Sequence, residues 1–146
     1  MTAPDTSGQL AEQLLRLTRR LHRAQKLYLD PVGITPAQAR LLRAVAHSEA
    51  PPRMADLAQR LEVVPRAVTT LVDALEANGV VRRVPDPANR RVIRIELTDR
   101  GRTTLRALRD ARRASVEDVL APLSAEQREV LGGLLAELLR ASDGRC

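Results

Sequence analysis

Two apolar stripes at helical spacing, in residues 54–61 and 65–78, have only three residues between them. No other feature constrains the fold of this chain as tightly. In the second segment Val68, Leu71, Val72 and Leu75 fall at i, i+3, i+4 and i+7, one stripe of a helix with a period of about 3.6 residues. Arg66, Thr70, Asp73 and Ala77 project opposite that stripe, with Thr69 at its edge. Met54, Leu57, Ala58 and Leu61 repeat the spacing in the shorter first segment. With only Glu62, Val63 and Val64 as connection, the two helices must meet at a sharp angle, as in a helix-turn-helix. Asn78-Gly79 suits the left-handed backbone that ends helices.

The next stretch completes a unit. Residues 80–84 and 92–97 are β-branched runs, and the second alternates as Val, Ile, Arg, Ile, Glu, Leu. Between them lies PDPANRR, rich in turn formers. Two short helices followed by a hairpin with a basic tip make a winged helix-turn-helix. Residues 82–94 hold five arginines against the single acid Asp86, the charge pattern of a phosphate-binding surface. For duplex DNA, the N-terminal half of the second helix would face the major groove. Arg66 can bond a guanine there, and the methyls of Thr69 and Thr70 can touch thymine. Asp73 on the same face would repel phosphates, and is expected to brace a wing or helix arginine instead.

This stretch resembles the multiple antibiotic resistance regulator (MarR) family. The segments that carry the resemblance are ITPAQARLLRAV, MADLAQRL, PRAVTTLVDALEANGVVRR and DPANRRVIRIELTDRG, over residues 34–102. In that family a wing-tip D-x-R has its arginine in the minor groove and its aspartate holding it. The corresponding residues are Asn89-Arg90-Arg91, so Arg91 is the counterpart of the inserting arginine, with Arg90 beside it. Asn89 can hydrogen-bond Arg91 without the charge, and wing support would pass to Asp86 and Arg94. Three positions depart from the pattern. Glu62 and Val64 stand where glycine and a serine or threonine cap are usual, each at a cost of about 1 kcal/mol. Thr70 replaces an arginine often found in the recognition helix.

The flanks read as helices. Residues 1–8 are expected to be disordered. From Leu10, the positions Leu14, Leu17, Leu21, Ala24 and Tyr28 continue a heptad-like seam, opposite Arg16, Arg19, Arg20, Arg23 and Lys26. Thr35 and Gln38 form a capping box at the next helix start, and Ser124 and Gln127 do the same at the last. Thr98-Asp99 opens a long helix interrupted by Gly101. The fold expected is mainly α, with an N-terminal dimerisation helix in residues 1–34, the winged helix-turn-helix in 35–100 and C-terminal dimerisation helices in 101–146. The two ends carry more apolar surface than so small a module can cover, which favours a two-fold dimer over a monomer folded onto one core.

Other chemistry is thinly represented. Tyr28 is the only aromatic, so a Leu, Val and Ala core favours helix packing. His22 and His47 lie apart, without cysteine or carboxylate at metal-ligand spacing, and no phosphate loop, nucleophile motif or cofactor fingerprint appears. No enzyme, metal or cofactor is therefore expected. Cys146 is a lone terminal thiol. Neither a signal peptide nor an apolar span is evident, so a cytoplasmic protein is expected. The resemblance implies a small-molecule effector between the dimer helices and the winged helix, often an aromatic anion. His22, Tyr28, His47 and nearby arginines could contribute, but no ligand residue is singled out. The reading is a sequence-specific, ligand-responsive homodimeric repressor on a pseudo-palindromic duplex operator. The alternative is a winged-helix module that binds protein or serves DNA architecture without sequence preference.

Overall fold

The computed structural model describes residues 6–143. Cys146 and the first five residues lie outside them, and with them part of the expected N-terminal disorder. Residues 6–8, expected to be disordered, are helical, so the first helix begins before the run of leucines that announces it. The elements are α1 (Thr6–Leu29), a 3-10 turn (Asp30–Val32), α2 (Pro36–Ala46), α3 (Met54–Leu61), α4 (Pro65–Ala77), β1 (Val81–Pro85), β2 (Ile93–Leu97), α5 (Asp99–Leu120) and α6 (Ala125–Asp143). They form two compact units. One is residues 25–113; the other comprises the described parts of residues 1–24 and 114–146.

The larger unit is built on the apolar stripes. α2 starts at the expected capping box: the Gln38 N–H donates to Thr35 Oγ1 at 3.2 Å and the Thr35 N–H donates to Gln38 Oε1 at 3.1 Å. Leu41 and Leu42 of α2, Leu57 of α3, and Val68, Val72 and Leu75 of α4 are fully buried together with Ile95 of β2. Each such side chain stabilises the fold by about 1.5–3 kcal/mol. Leu71 and Met54, the remaining large members of the two stripes, pack at the rim of this core. Between α3 and α4 the chain turns at Glu62, whose φ of 55° and ψ of 45° are left-handed. A side chain there is strained by about 1–2 kcal/mol relative to glycine.

β1 and β2 pair antiparallel, with Val81 opposite Leu97 and Pro85 opposite Ile93. The segment before α3, which reads as a loop, adds a third short rung. The Ile95 N–H donates to Pro52 O at 2.9 Å, and Arg53 bridges to Arg94. The hairpin is thereby tied to the start of the helix-turn-helix as well as to its end.

Gly79 closes α4 with φ 74°. Gly101, which breaks the helical pattern of α5, has a steric reason. A Cβ on it would lie 2.0 Å from the Val80 carbonyl oxygen and 3.3 Å from Leu97 Cδ2. Thr98 fastens the same corner: its Oγ1 donates to Gly79 O at 2.6 Å and accepts from the Gly101 N–H at 3.0 Å.

In the other unit α6 opens at a second capping box, between Ser124 and Gln127. Arg128 ties it to α5 through Glu117 at 2.9 Å and Leu120 O at 3.1 Å. Leu10, Leu14, Leu15 and Leu17 of α1 and Val130, Leu134, Leu135, Leu138 and Leu139 of α6 are all at least 40% exposed. Among the described residues no helix is long and apolar enough to cross a membrane.

The Gly101 contact gives a first prediction. Gly101→Ala should destabilise the protein by about 3 kcal/mol, an overpacking penalty against backbone that cannot retreat. Thermal melting should show a loss of roughly 6–12 °C. An unchanged melting temperature would mean that the α5 corner is not fixed by this contact.

Candidate nucleic-acid interface

The start of α4 offers few free hydrogen-bonding groups on its exposed side. Val64 is its N-cap, with φ −70° and ψ 149°, and makes no side-chain cap bond; Pro65 opens the helix. Arg66, Thr69 and Thr70 follow on the exposed side. Both threonine hydroxyls turn inward, Thr69 Oγ1 donating to Pro65 O at 3.2 Å and Thr70 Oγ1 to Arg66 O at 3.1 Å. What these residues retain for a base edge is a methyl group and an acceptor lone pair. Arg66 has no side-chain partner among the described residues.

Further along α4 the acids serve the wing. Arg83 of β1 donates through Nη2 to Asp73 Oδ1 at 2.5 Å and through Nη1 to Glu76 Oε1 at 2.6 Å. The Arg83 N–H also donates to Glu76 Oε2 at 3.0 Å. The Asp73 hydrogen bond first, and Glu76 with it, hold the Arg83 guanidinium above its ordinary pKa. Asp73 thus braces a wing arginine, as its position on the helix suggests.

The wing tip is organised by Asp86. Its Oδ1 accepts from the Ala88 N–H at 2.7 Å and the Asn89 N–H at 3.1 Å, and its Oδ2 from Arg94 Nε at 2.5 Å. Arg94 Nη1 reaches on to Pro51 O at 2.7 Å. The Arg94 hydrogen bond, followed by that from Ala88, holds the Asp86 carboxyl below the usual carboxylate range. Asn89 does hydrogen-bond Arg91, but through the backbone. Its Oδ1 accepts from the Arg91 backbone N–H at 3.2 Å and not from the guanidinium, because a short side chain two residues away closes an Asx turn more readily.

The charge concentration also needs correction. Read linearly, residues 82–94 oppose five arginines with one acid. In the folded hairpin Arg82 pairs with Glu96 across the strands, Arg83 with Asp73 and Glu76, and Arg94 with Asp86. Three of the acids come from outside the stretch. Arg90 and Arg91 remain exposed, without side-chain partners among the described residues. The surface therefore offers three unpaired cations, Arg66, Arg90 and Arg91, on a frame of neutralised arginines. The supporting residues Arg83, Glu76 and Glu96 are not evident from the sequence. Their one signal is the placing of Asp73 and Glu76 at i and i+3 on the exposed side of α4.

The histidines belong to other elements. His22 is exposed on α1, and His47 ends α2 with Nδ1 2.6 Å from Arg43 O. Among the described residues no three His, Cys, Asp or Glu side chains are grouped to hold a metal ion. Arg43 is half-buried on α2 with no acceptor among the described residues. Burial, then Arg112 and Arg40, push its pKa down.

A helix-turn-helix whose second helix and β-wing share one exposed surface defines a winged helix-turn-helix of the DNA-binding type. The MarR family sequence profile matches residues 32–92. The transcriptional repressor MdtR of Bacillus subtilis is 30% identical over 116 residues, 79% of this chain and 74% of MdtR. The chain belongs to the MarR family of transcriptional regulators. Among solved structures, the YusO protein of Bacillus subtilis superposes with a TM-score of 0.83 at 26% identity, covering 97% of this chain and 99% of YusO. The MarR family protein Rv2887 of Mycobacterium tuberculosis, in complex with DNA, superposes with a TM-score of 0.74 at 28% identity, covering 94% and 98%.

The Asp86 contacts give a prediction with a defined pH sign. A carboxyl whose pKa is depressed by folding contributes stability above its ordinary value, about pH 4, and loses it as pH falls through the folded pKa. Asp86→Asn should therefore melt below the wild type at pH 7, and the gap should close as pH falls below the ordinary carboxylate value of about 4. A gap that stays constant over this range would rule out the ionised Asp86–Arg94 pair as its source.

Proposed function

We propose that this regulator is a homodimeric repressor that binds a pseudo-palindromic duplex operator and is released by a small anionic molecule. The observation that carries the DNA reading is the set of cations without side-chain partners among the described residues, Arg66 on α4 and Arg90 and Arg91 on the wing, beside arginines that are each paired with an acid. Arg66 is the base-reading cation, flanked by Thr69 and Thr70. Arg91, with Arg90, supplies phosphate and minor-groove contact at the wing, whose turn is shaped by Asn89 and supported by Asp86 and Arg94. The relatives named as repressor and as DNA complex support this assignment. A protein working on operator DNA belongs in the cytoplasm.

Dimerisation is supported by the exposed leucines of α1 and α6, an apolar surface that water would otherwise cover. Release by an anion is supported by Arg43, whose half-buried charge has no acceptor among the described residues and feels the charges of Arg112 and Arg40.

The assignment of roles is tested by binding isotherms on a selected operator and on random DNA at several salt concentrations. Arg91→Ala should weaken both DNAs alike and reduce the salt slope by roughly one phosphate contact. Arg66→Ala should weaken operator binding by about 1–3 kcal/mol and random DNA much less. An unchanged salt slope in the first variant, with equal losses on both DNAs in the second, would reverse the roles. Equal wild-type affinity for operator and random DNA would instead favour the architectural reading.

Symmetry is tested separately. The protein should sediment at twice the chain mass and protect two half-sites about 10 base pairs apart. Leu134→Glu with Leu138→Glu should yield monomers that keep their helical content and lose most operator affinity. A wild-type monomer bound to a single half-site would contradict the dimer.

A further inference from the structure

Val64 is 67% exposed at the N-cap of the recognition helix. Its side chain caps nothing there and takes no part in the hydrophobic core. A serine, threonine, asparagine or aspartate at this position would satisfy a free N–H of the first turn and stabilise the helix by about 1 kcal/mol. Folding therefore gives no reason for an isopropyl group here. The DNA-binding reading supplies one. Residues at the N-terminal end of a recognition helix are those brought to base edges in the major groove. Among the groups that groove exposes, the C5 methyl of thymine is the one apolar contact surface; the remainder are hydrogen-bond donors and acceptors that valine cannot serve. Next to Val64 stand Pro65, without an N–H, then Arg66, and then two threonines with inward hydroxyls. The surface is thus an apolar patch around one guanidinium.

We propose that Val64 is a specificity-determining residue that reads the C5 methyl of one thymine in each half-site, beside the base contacted by Arg66. This rests on the operator-binding reading above. In the bound complex the isopropyl group lies against the thymine methyl, and water leaves both. A cytosine or uracil at that position offers no methyl, and an adenine presents its amino group to a side chain that cannot accept from it.

The test uses the full-length protein and the operator selected for it, with each thymine replaced singly by uracil. This change removes the methyl and leaves every hydrogen-bonding group in place. Wild-type affinity should fall about fourfold at one thymine per half-site, the worth of one buried methyl, and about fifteenfold when both half-sites carry uracil there. Val64→Ser, which adds a cap and so folds at least as stably, should bind the thymine and uracil operators equally. Wild-type indifference to uracil at every thymine would overturn the proposal while leaving specific operator binding intact. So would a Val64→Ser variant that keeps the full uracil penalty, since the methyl would then be read by Thr69 or Thr70. Failure of the underlying reading would look different: no sequence would be selected over random DNA.

Discussion

The grip of Asp73 and Glu76 on Arg83 sets the relation between the two parts of the proposed DNA-binding surface, α4 and the wing. Three hydrogen bonds from one residue of β1 end on two carboxylates of α4, three residues apart on one side of the helix. Ion pairs this close to solvent add little to stability, so the result is mainly geometric. The wing cannot slide along the recognition helix without breaking a bidentate contact and a backbone bond together. The same pairing lowers an electrostatic obstacle. Asp73 is 62% exposed on the side of α4 that carries Arg66 and Thr70, where a bare carboxylate would repel the phosphate backbone. Joined to Arg83, which Glu76 also binds, its charge is partly offset, and the three groups together carry one negative charge in place of two.

At its other end the hairpin is held by Arg94, which spans from Asp86 in the wing turn to the Pro51 carbonyl before α3. Beside it, Ile95 bonds Pro52 through the backbone. The wing is thus fastened to both arms of the helix-turn-helix. Only its tip, with Asn89, Arg90 and Arg91, extends beyond these ties, and the Asx turn of Asn89 shapes even that part.

The helices were legible in the sequence because periodicity is local. Val68, Val72 and Leu75 announce their buried face by spacing alone, and the capping boxes at Thr35 and Ser124 mark starts within four residues. What the sequence withheld is non-local. The arginines of the hairpin look like one basic block, whereas the strand register places Arg82 opposite Glu96 and the helix brings Asp73 and Glu76 to Arg83. Arg94 meets its carbonyl acceptor 43 residues away, a contact no motif encodes. Gly101 reads as a flaw in a helix until the Val80 carbonyl appears beneath it. Asn89 sits where the family's pattern has an acid, but local turn geometry directs its side chain to the backbone. The core and the order of elements therefore follow from patterning, while the electrostatics of the surface require the fold.

The exposure of Val64 bears on how a regulator of this kind can change its targets. Most positions that contact a partner also contribute to a core, a cap or a turn, so a change of preference carries a penalty in folding. The Val64 side chain contributes to none of these, and polar replacements would improve the helix start. Drift at this codon is therefore unconstrained by the stability threshold that limits most substitutions. Duplicated copies of the gene could diverge in the promoters they occupy through this one residue, each remaining a fully folded protein throughout.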